Sequence, residues 1–136
     1  MPFVLDCSVT MAWIFPDEAN SVTNSLRDSL ATDSAIVPEL WAVEVANVLA
    51  VATRRGRILQ SDWPLLQNAL GVLPINVDRE THSRALVASL PLAFEHGLSV
   101  YDAVYLELAR RTRLPLATLD NKLRSVCEKL GLELAQ

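Results

Sequence analysis

The chain has 136 residues, 51% of them hydrophobic, with sixteen acidic and twelve basic side chains and a net charge of -4. That length supports one domain with its own core, read as a single unit over residues 1–136 without linker, repeat or low-complexity tract, and it needs no disulfide staples. A mean hydropathy of +0.24 on so small a chain predicts apolar surface covered by a partner. Neither a signal peptide nor a membrane span is expected, because Asp6 interrupts the start and Glu44 and Asn47 break the apolar stretch from Leu40 to Ala52. The expectation is therefore a cytoplasmic protein, not a membrane one, in which Cys7 and Cys127 are buried free thiols.

Short β-type runs alternate with longer helical patterns, the signature of βαβ units around a parallel sheet. Phe3 to Leu5 predicts a first strand, followed by helices at about 8–15 and 19–31. Ala35 to Val37 predicts the second, with Pro38 in the first turn of a helix over about 39–55 that stops at Gly56. A helix at about 61–71 leads to a third strand, Leu73 to Val77, and helices follow at about 79–94 and 101–112. Ser99 and Asp102 resemble a capping box on the second of these, with Asp in place of Glu. Leu116 to Thr118, a helix at about 121–130 ended by Gly131, and an edge strand from Leu132 to Leu134 complete an α/β fold with about five parallel strands.

Four acids interrupt stretches that otherwise favour burial: Asp6, Glu44, Asp102 and Asp120. A buried carboxylate is costly without hydrogen bonds, a cation or a proton, and the predicted connectivity brings all four to the carboxyl edge of the sheet, where open parallel sheets bind ligands. Each has a bland alternative. Asp6 and Asp120 can cap the helices that follow them, Asp102 is favoured by a helix dipole, and Glu44 can pair with a buried arginine. Gathered at one edge, they point instead to a hard divalent ion: oxygen-only donors select Mg²⁺ or Mn²⁺, whereas zinc lacks His and Cys ligands at useful spacing. Such an ion lowers the pKa of a bound water and offsets charge on a phosphodiester. Asp6 and Asp102 are the choices for direct ligands; Glu44 and Asp120 bind through water, bind a second ion, or accept the proton of the attacking water.

The net charge looks wrong for a nucleic-acid enzyme, yet without those four acids the balance is twelve acidic to twelve basic. Arg54-Arg55-Gly56-Arg57 and Arg110-Arg111-Thr112-Arg113 read first as cations closing helices. His82 and His96 read as surface residues.

Val4-Leu5-Asp6-Cys7-Ser8-Val9, Pro38 to Leu49 around Glu44 and Asn47, Leu98 to Ala109 around Asp102, and Ala117-Thr118-Leu119-Asp120-Asn121-Lys122-Leu123 resemble, in order and spacing, the signature of PIN domains, most closely the VapC toxins of toxin-antitoxin pairs. The resemblance implies a three-layer α/β/α domain and a Mg²⁺- or Mn²⁺-dependent endoribonuclease. It also implies RNA as substrate, a homodimer, and inhibition by a cognate antitoxin. It makes Asp6, Glu44, Asp102 and Asp120 the catalytic and metal-binding set, with Ser8, Asn47, Ser99 and Thr118 as supporting polar positions. Cys7 departs mildly from the small residues usual there. The expected dimer interface draws on the segment around Leu30 and the helix of Trp63, Leu65 and Leu66. Two other readings compete: a PIN-like binding module without catalysis, against which all four acids speak, and a haloacid-dehalogenase-type phosphotransferase, which needs an aspartate where this chain has Ser8.

Overall fold

Residues 1–136 are described by a computed structural model, at whose centre lies β1 (Phe3–Leu5). It is flanked by β2 (Ala35–Pro38) and β4 (Leu116–Ala117), and β3 (Ile75–Asp78) pairs outside β2, so the order is β3-β2-β1-β4 with every pairing parallel. All three residues of β1 are buried, as expected of a central parallel strand covered on both faces.

Eight helices connect and cover these strands: α1 (Cys7–Ile14), α2 (Ser21–Ser29), α3 (Leu40–Arg54), α4 (Trp63–Gly71), α5 (Thr81–Arg84), α6 (Leu90–His96), α7 (Val100–Thr112) and α8 (Asn121–Leu130). The two-residue period of the strands sorts the core. Val4 and Leu116 pack with Leu92 of α6, Leu106 of α7 and Leu123 of α8, while Phe3, Leu5, Val37 and Ala117 pack with Val9 of α1 and Leu26 of α2. This is the three-layer α/β/α arrangement.

Three expectations need correction. The fifth strand shrinks to one parallel bridge between Leu116 and Leu134, because β4 is only two residues long and offers little more edge to pair with; the sheet has four strands. Pro38 ends β2 in register with Asp78 instead of opening α3, a strand-end place that suits a residue with no N–H to donate. The helix read as continuous over 79–94 contains a wide π turn at Ala85–Ser89 between α5 and α6. It precedes Pro91, which has no N–H and crowds the carbonyl four residues back, so the backbone widens there.

The basic runs do close helices, and two arginines in them are committed elsewhere. Arg57 binds Asp17 at 2.6 Å and Glu18 at 3.0 Å and stacks over Phe15. Arg111 binds Asp78, Glu80 and the buried Glu107. No helix is long and apolar enough to cross a membrane.

Candidate active site

Asp6 follows directly on β1, where the chain leaves the sheet at its carboxyl edge. It occupies the N-cap position of α1, yet its side chain makes no cap hydrogen bond, so the capping explanation fails. Its Oδ2 instead accepts two hydroxyl protons, from Ser8 at 2.7 Å and from Thr118 at 2.7 Å. Each hydroxyl in turn accepts a backbone N–H, Ser8 Oγ from Leu119 at 2.9 Å and Thr118 Oγ1 from Asp120 at 3.1 Å. Since a hydroxyl has one proton to give, those accepted bonds aim both protons at Asp6 and fasten the β4–α8 loop to the start of α1.

Glu44 lies on α3, which begins just after β2. The expected alternative, an arginine partner, is not what the structure contains: Glu44 Oε1 accepts the hydroxyl of Tyr105 at 2.6 Å. Asp102 stands in the first turn of α7, where Ser99 Oγ accepts the Asp102 N–H at 3.1 Å. Only this half of the anticipated capping box forms. Asp120 does cap α8, accepting the Leu123 N–H at 2.8 Å. Burial is graded, with Asp6 at the floor with 6% exposure, Glu44 and Asp102 half-buried, and Asp120 exposed.

The electrostatics tie the four together. Burial raises the Asp6 carboxyl above its ordinary value against the pull of the Ser8 and Thr118 hydroxyls, and the Asp120 charge raises it further. Burial also raises Glu44, opposed by the Tyr105 hydroxyl and reinforced by the charges of Asp6 and Asp102. Asp102 is raised by burial and then by Asp120 and Asp6, with Ser99 and Lys122 pulling the other way. Three acids thus resist ionisation partly because of one another, the condition that a bound cation relieves. The Cys7 thiol beside them is pushed up to about 12, first by burial and then by the charges of Glu44 and Asp6, which leaves it protonated and unreactive.

No three His, Cys, Asp or Glu side chains stand together as a ready-made cage for one ion. The donor set nevertheless fits a magnesium-type ion. Such an ion keeps several of its waters and takes only one or two carboxylates directly, and every acid here offers oxygen.

Of the supporting positions, Ser8 and Thr118 hold Asp6 and Ser99 caps the helix of Asp102. Asn47 is exposed and makes no hydrogen bond to any of the acids. Tyr105 escaped the sequence reading, because in Val104-Tyr105-Leu106 it looks like a core aromatic. The side chain of His96 is only 8% exposed, contrary to the surface placement expected, whereas His82 is exposed.

Comparison with known proteins adds a lineage. At 29% identity over 123 residues, covering 90% of this chain and 92% of the relative, the chain is similar to the protein named ribonuclease VapC3 of Pyrobaculum aerophilum. Three solved structures share the fold. PAE2754 of Pyrobaculum aerophilum has a TM-score of 0.61 at 24% identity, over 92% of this chain and 86% of that one. A toxin-antitoxin complex from Klebsiella pneumoniae gives 0.58 at 16%, over 88% of each chain. FitAcB from Neisseria gonorrhoeae gives 0.55 at 18%, over 100% and 97%. The sequence pattern of the PIN domain matches residues 3–129. Because that match runs from the first residue of β1 into the last turn of α8 and takes in all four acids, the chain belongs to the PIN domain family.

Proposed function

We propose that this protein is a Mg²⁺- or Mn²⁺-dependent endoribonuclease and the toxin of a toxin-antitoxin pair. The observation that carries the reading is the set Asp6, Glu44, Asp102 and Asp120 at the carboxyl edge of the sheet, three of them raised by burial and by their neighbours' charge. The similarity to a relative named a ribonuclease and the fold shared with a toxin-antitoxin complex support it. Asp6 and Asp102 would hold the ion directly. Glu44 and Asp120 would act through its waters, hold a second ion, or take the proton from the attacking water. The bound ion supplies an activated water and positive charge against the phosphoryl oxygens. The chain's own part is to hold Asp6 rigid through Ser8 and Thr118, and to keep the acids near enough that their charges raise Asp6, Glu44 and Asp102, a repulsion that a cation relieves.

On this reading the purified protein cleaves RNA only with Mg²⁺ or Mn²⁺ added, leaving a 5′-phosphate and a 3′-hydroxyl, since water attacks and the ribose 2′-OH is not the nucleophile. Mapping the ends of the cleaved RNA checks it. Cleavage in excess chelator, or a 2′,3′-cyclic phosphate end, would overturn it.

The same reading includes two protein partners and a cytoplasmic place of action. An apolar groove of about 610 Å³ runs between α3, α4 and β3, lined by Trp41, Val45, Leu49, Trp63, Leu70 and Ile75, with no carboxylate in its lining. It offers an amphipathic segment of an antitoxin a place to lie. A second copy of the chain is the other partner. Leu30 is buried at 6% exposure and cannot serve that interface as expected. The helix of Trp63, Leu65 and Leu66 stays a candidate, with Leu65 71% exposed, and Leu86, Val87, Leu90 and Phe94, the last 91% exposed, add an open apolar run from the π turn into α6. Light scattering at micromolar concentration should return the dimer mass; a monomer mass would refute this part.

A further inference from the structure

Tyr105 has no exposed surface, and a tyrosine sunk that deeply needs a partner for its hydroxyl. The partner is Glu44 Oε1 at 2.6 Å, across 61 residues of sequence. A short bond from a hydroxyl to a carboxylate is among the stronger hydrogen bonds a protein makes. It is also one-directional, because a carboxylate has no proton to give and the hydroxyl does, so Tyr105 is the donor.

The remaining acids show why Glu44 requires this. Asp6 is gripped by two hydroxyls, Asp120 is tied to its own helix as a cap, and Asp102 is short and sits in the first turn of α7. Glu44 has the longest side chain of the four and no cationic partner, so its carboxylate would otherwise sample several rotamers. Tyr105 stands three residues after Asp102 on α7, on the same side of the helix, so one bond sets the acid of α3 against the acid of α7.

We propose that Tyr105 is a positioning residue that holds the Glu44 carboxylate in place for the divalent ion and thereby sets the protein's affinity for it. The inference rests on the metal-nuclease reading above. A tyrosine that merely filled the core would be replaced by phenylalanine without consequence for the ion.

The test is Mn²⁺ binding to the full chain, measured by electron paramagnetic resonance and calorimetry for wild type, Tyr105→Phe, Glu44→Gln and the double variant, with circular dichroism in chelator as the check on folding. Tyr105→Phe is expected to weaken Mn²⁺ roughly tenfold to a hundredfold, the usual loss when a partner of a metal ligand is removed, and to lower kcat while leaving KM for RNA unchanged. On the Glu44→Gln background it should add nothing. Should Tyr105→Phe not fold, Tyr105→Met, which fills the space with a flexible apolar side chain, must show the same loss. Wild-type affinity in the variant, or a full additional loss on the Glu44→Gln background, would overturn the proposal. A wild-type protein that bound no Mn²⁺ would sink the nuclease reading and this inference together, whereas equal binding by wild type and variant sinks Tyr105 alone.

Discussion

Asp6→Asn is expected to reduce RNA cleavage by about a thousandfold or more. A directly bound ion contributes several kcal/mol of charge stabilisation in the transition state, and each 1.36 kcal/mol is a factor of ten in rate. Stability should move the other way. The folded-state pKa of Asp6 is raised, chiefly by burial, so the native state binds that proton more tightly than the unfolded chain does. For an acid shifted upward, the contribution to stability is favourable at low pH and is lost as pH rises from the ordinary carboxylate range through the raised value. Without metal, an ionised Asp6 is therefore a net cost to the fold. Asn removes that charge at nearly constant volume, and the Ser8 and Thr118 hydroxyls still find an amide oxygen to donate to. In chelator the variant should melt no lower than wild type, with a flatter dependence of Tm on pH through that window. In cells, wild-type expression without its partner should arrest growth, and co-expression of a small antitoxin should rescue it; Asp6→Asn should be harmless yet still bind the antitoxin. Retained cleavage by a folded Asp6→Asn, or a wild-type protein that leaves growth and RNA intact with no inhibitor present, would show the assignment to be wrong.

Arg111→Met should be among the more damaging single changes away from the acids. The Arg111 guanidinium reaches Asp78 at 2.8 Å, Glu80 at 2.8 Å and Glu107 at 3.0 Å, and it thereby locks the end of β3 and the start of α5 to α7. Its own titration is pushed up, first by the bond to Asp78, so it stays charged throughout. Glu107 has a side chain only 5% exposed and would keep Arg84 alone, at 3.0 Å. Stripping one partner from a buried ionic cluster costs about 3 kcal/mol or more, because the stranded charge has lost water without compensation. For a chain of this size that is a fall in Tm of roughly 10 °C. Thermal unfolding followed by circular dichroism decides it, and a change of only a degree or two would mean the network contributes specificity in place of stability. The additional substitution Glu107→Gln should recover part of the loss, since it removes the charge left behind.

Periodicity read the helices well because their apolar faces repeat within a few residues; α3, α7 and α8 begin and end within about two residues of expectation. The four acids were legible because each is a charge in an apolar run that the predicted connectivity also carries to one edge of the sheet. What stayed hidden were the partners. Along α3 the only polar neighbour on the Glu44 face is Asn47, which faces solvent, and the bland expectation for Glu44 is an arginine; the partner is Tyr105 on another helix. Glu107 was passed over as one polar position in the otherwise apolar run from Ala103 to Ala109, although it is buried among arginines from two segments. Leu30 illustrates the converse error. An apolar residue near a helix end looks free for an interface until the fold packs it with Phe3, Leu5 and Leu26. Helical repeats are local properties, whereas hydrogen-bond partners and burial depend on contacts that no window of sequence contains.

The hydroxyl grip on Asp6 joins residues 112 apart, and β1 must accept β4 at its edge before Thr118 can reach it. Closing a loop of that length is entropically costly and comes late relative to helix formation and local pairing. The grip on Asp6 is thus a property of the assembled tertiary structure rather than of any local segment. During refolding, recovery of cleavage should trail recovery of the helical signal, because Asp6 is held in place only once β4 has docked on β1.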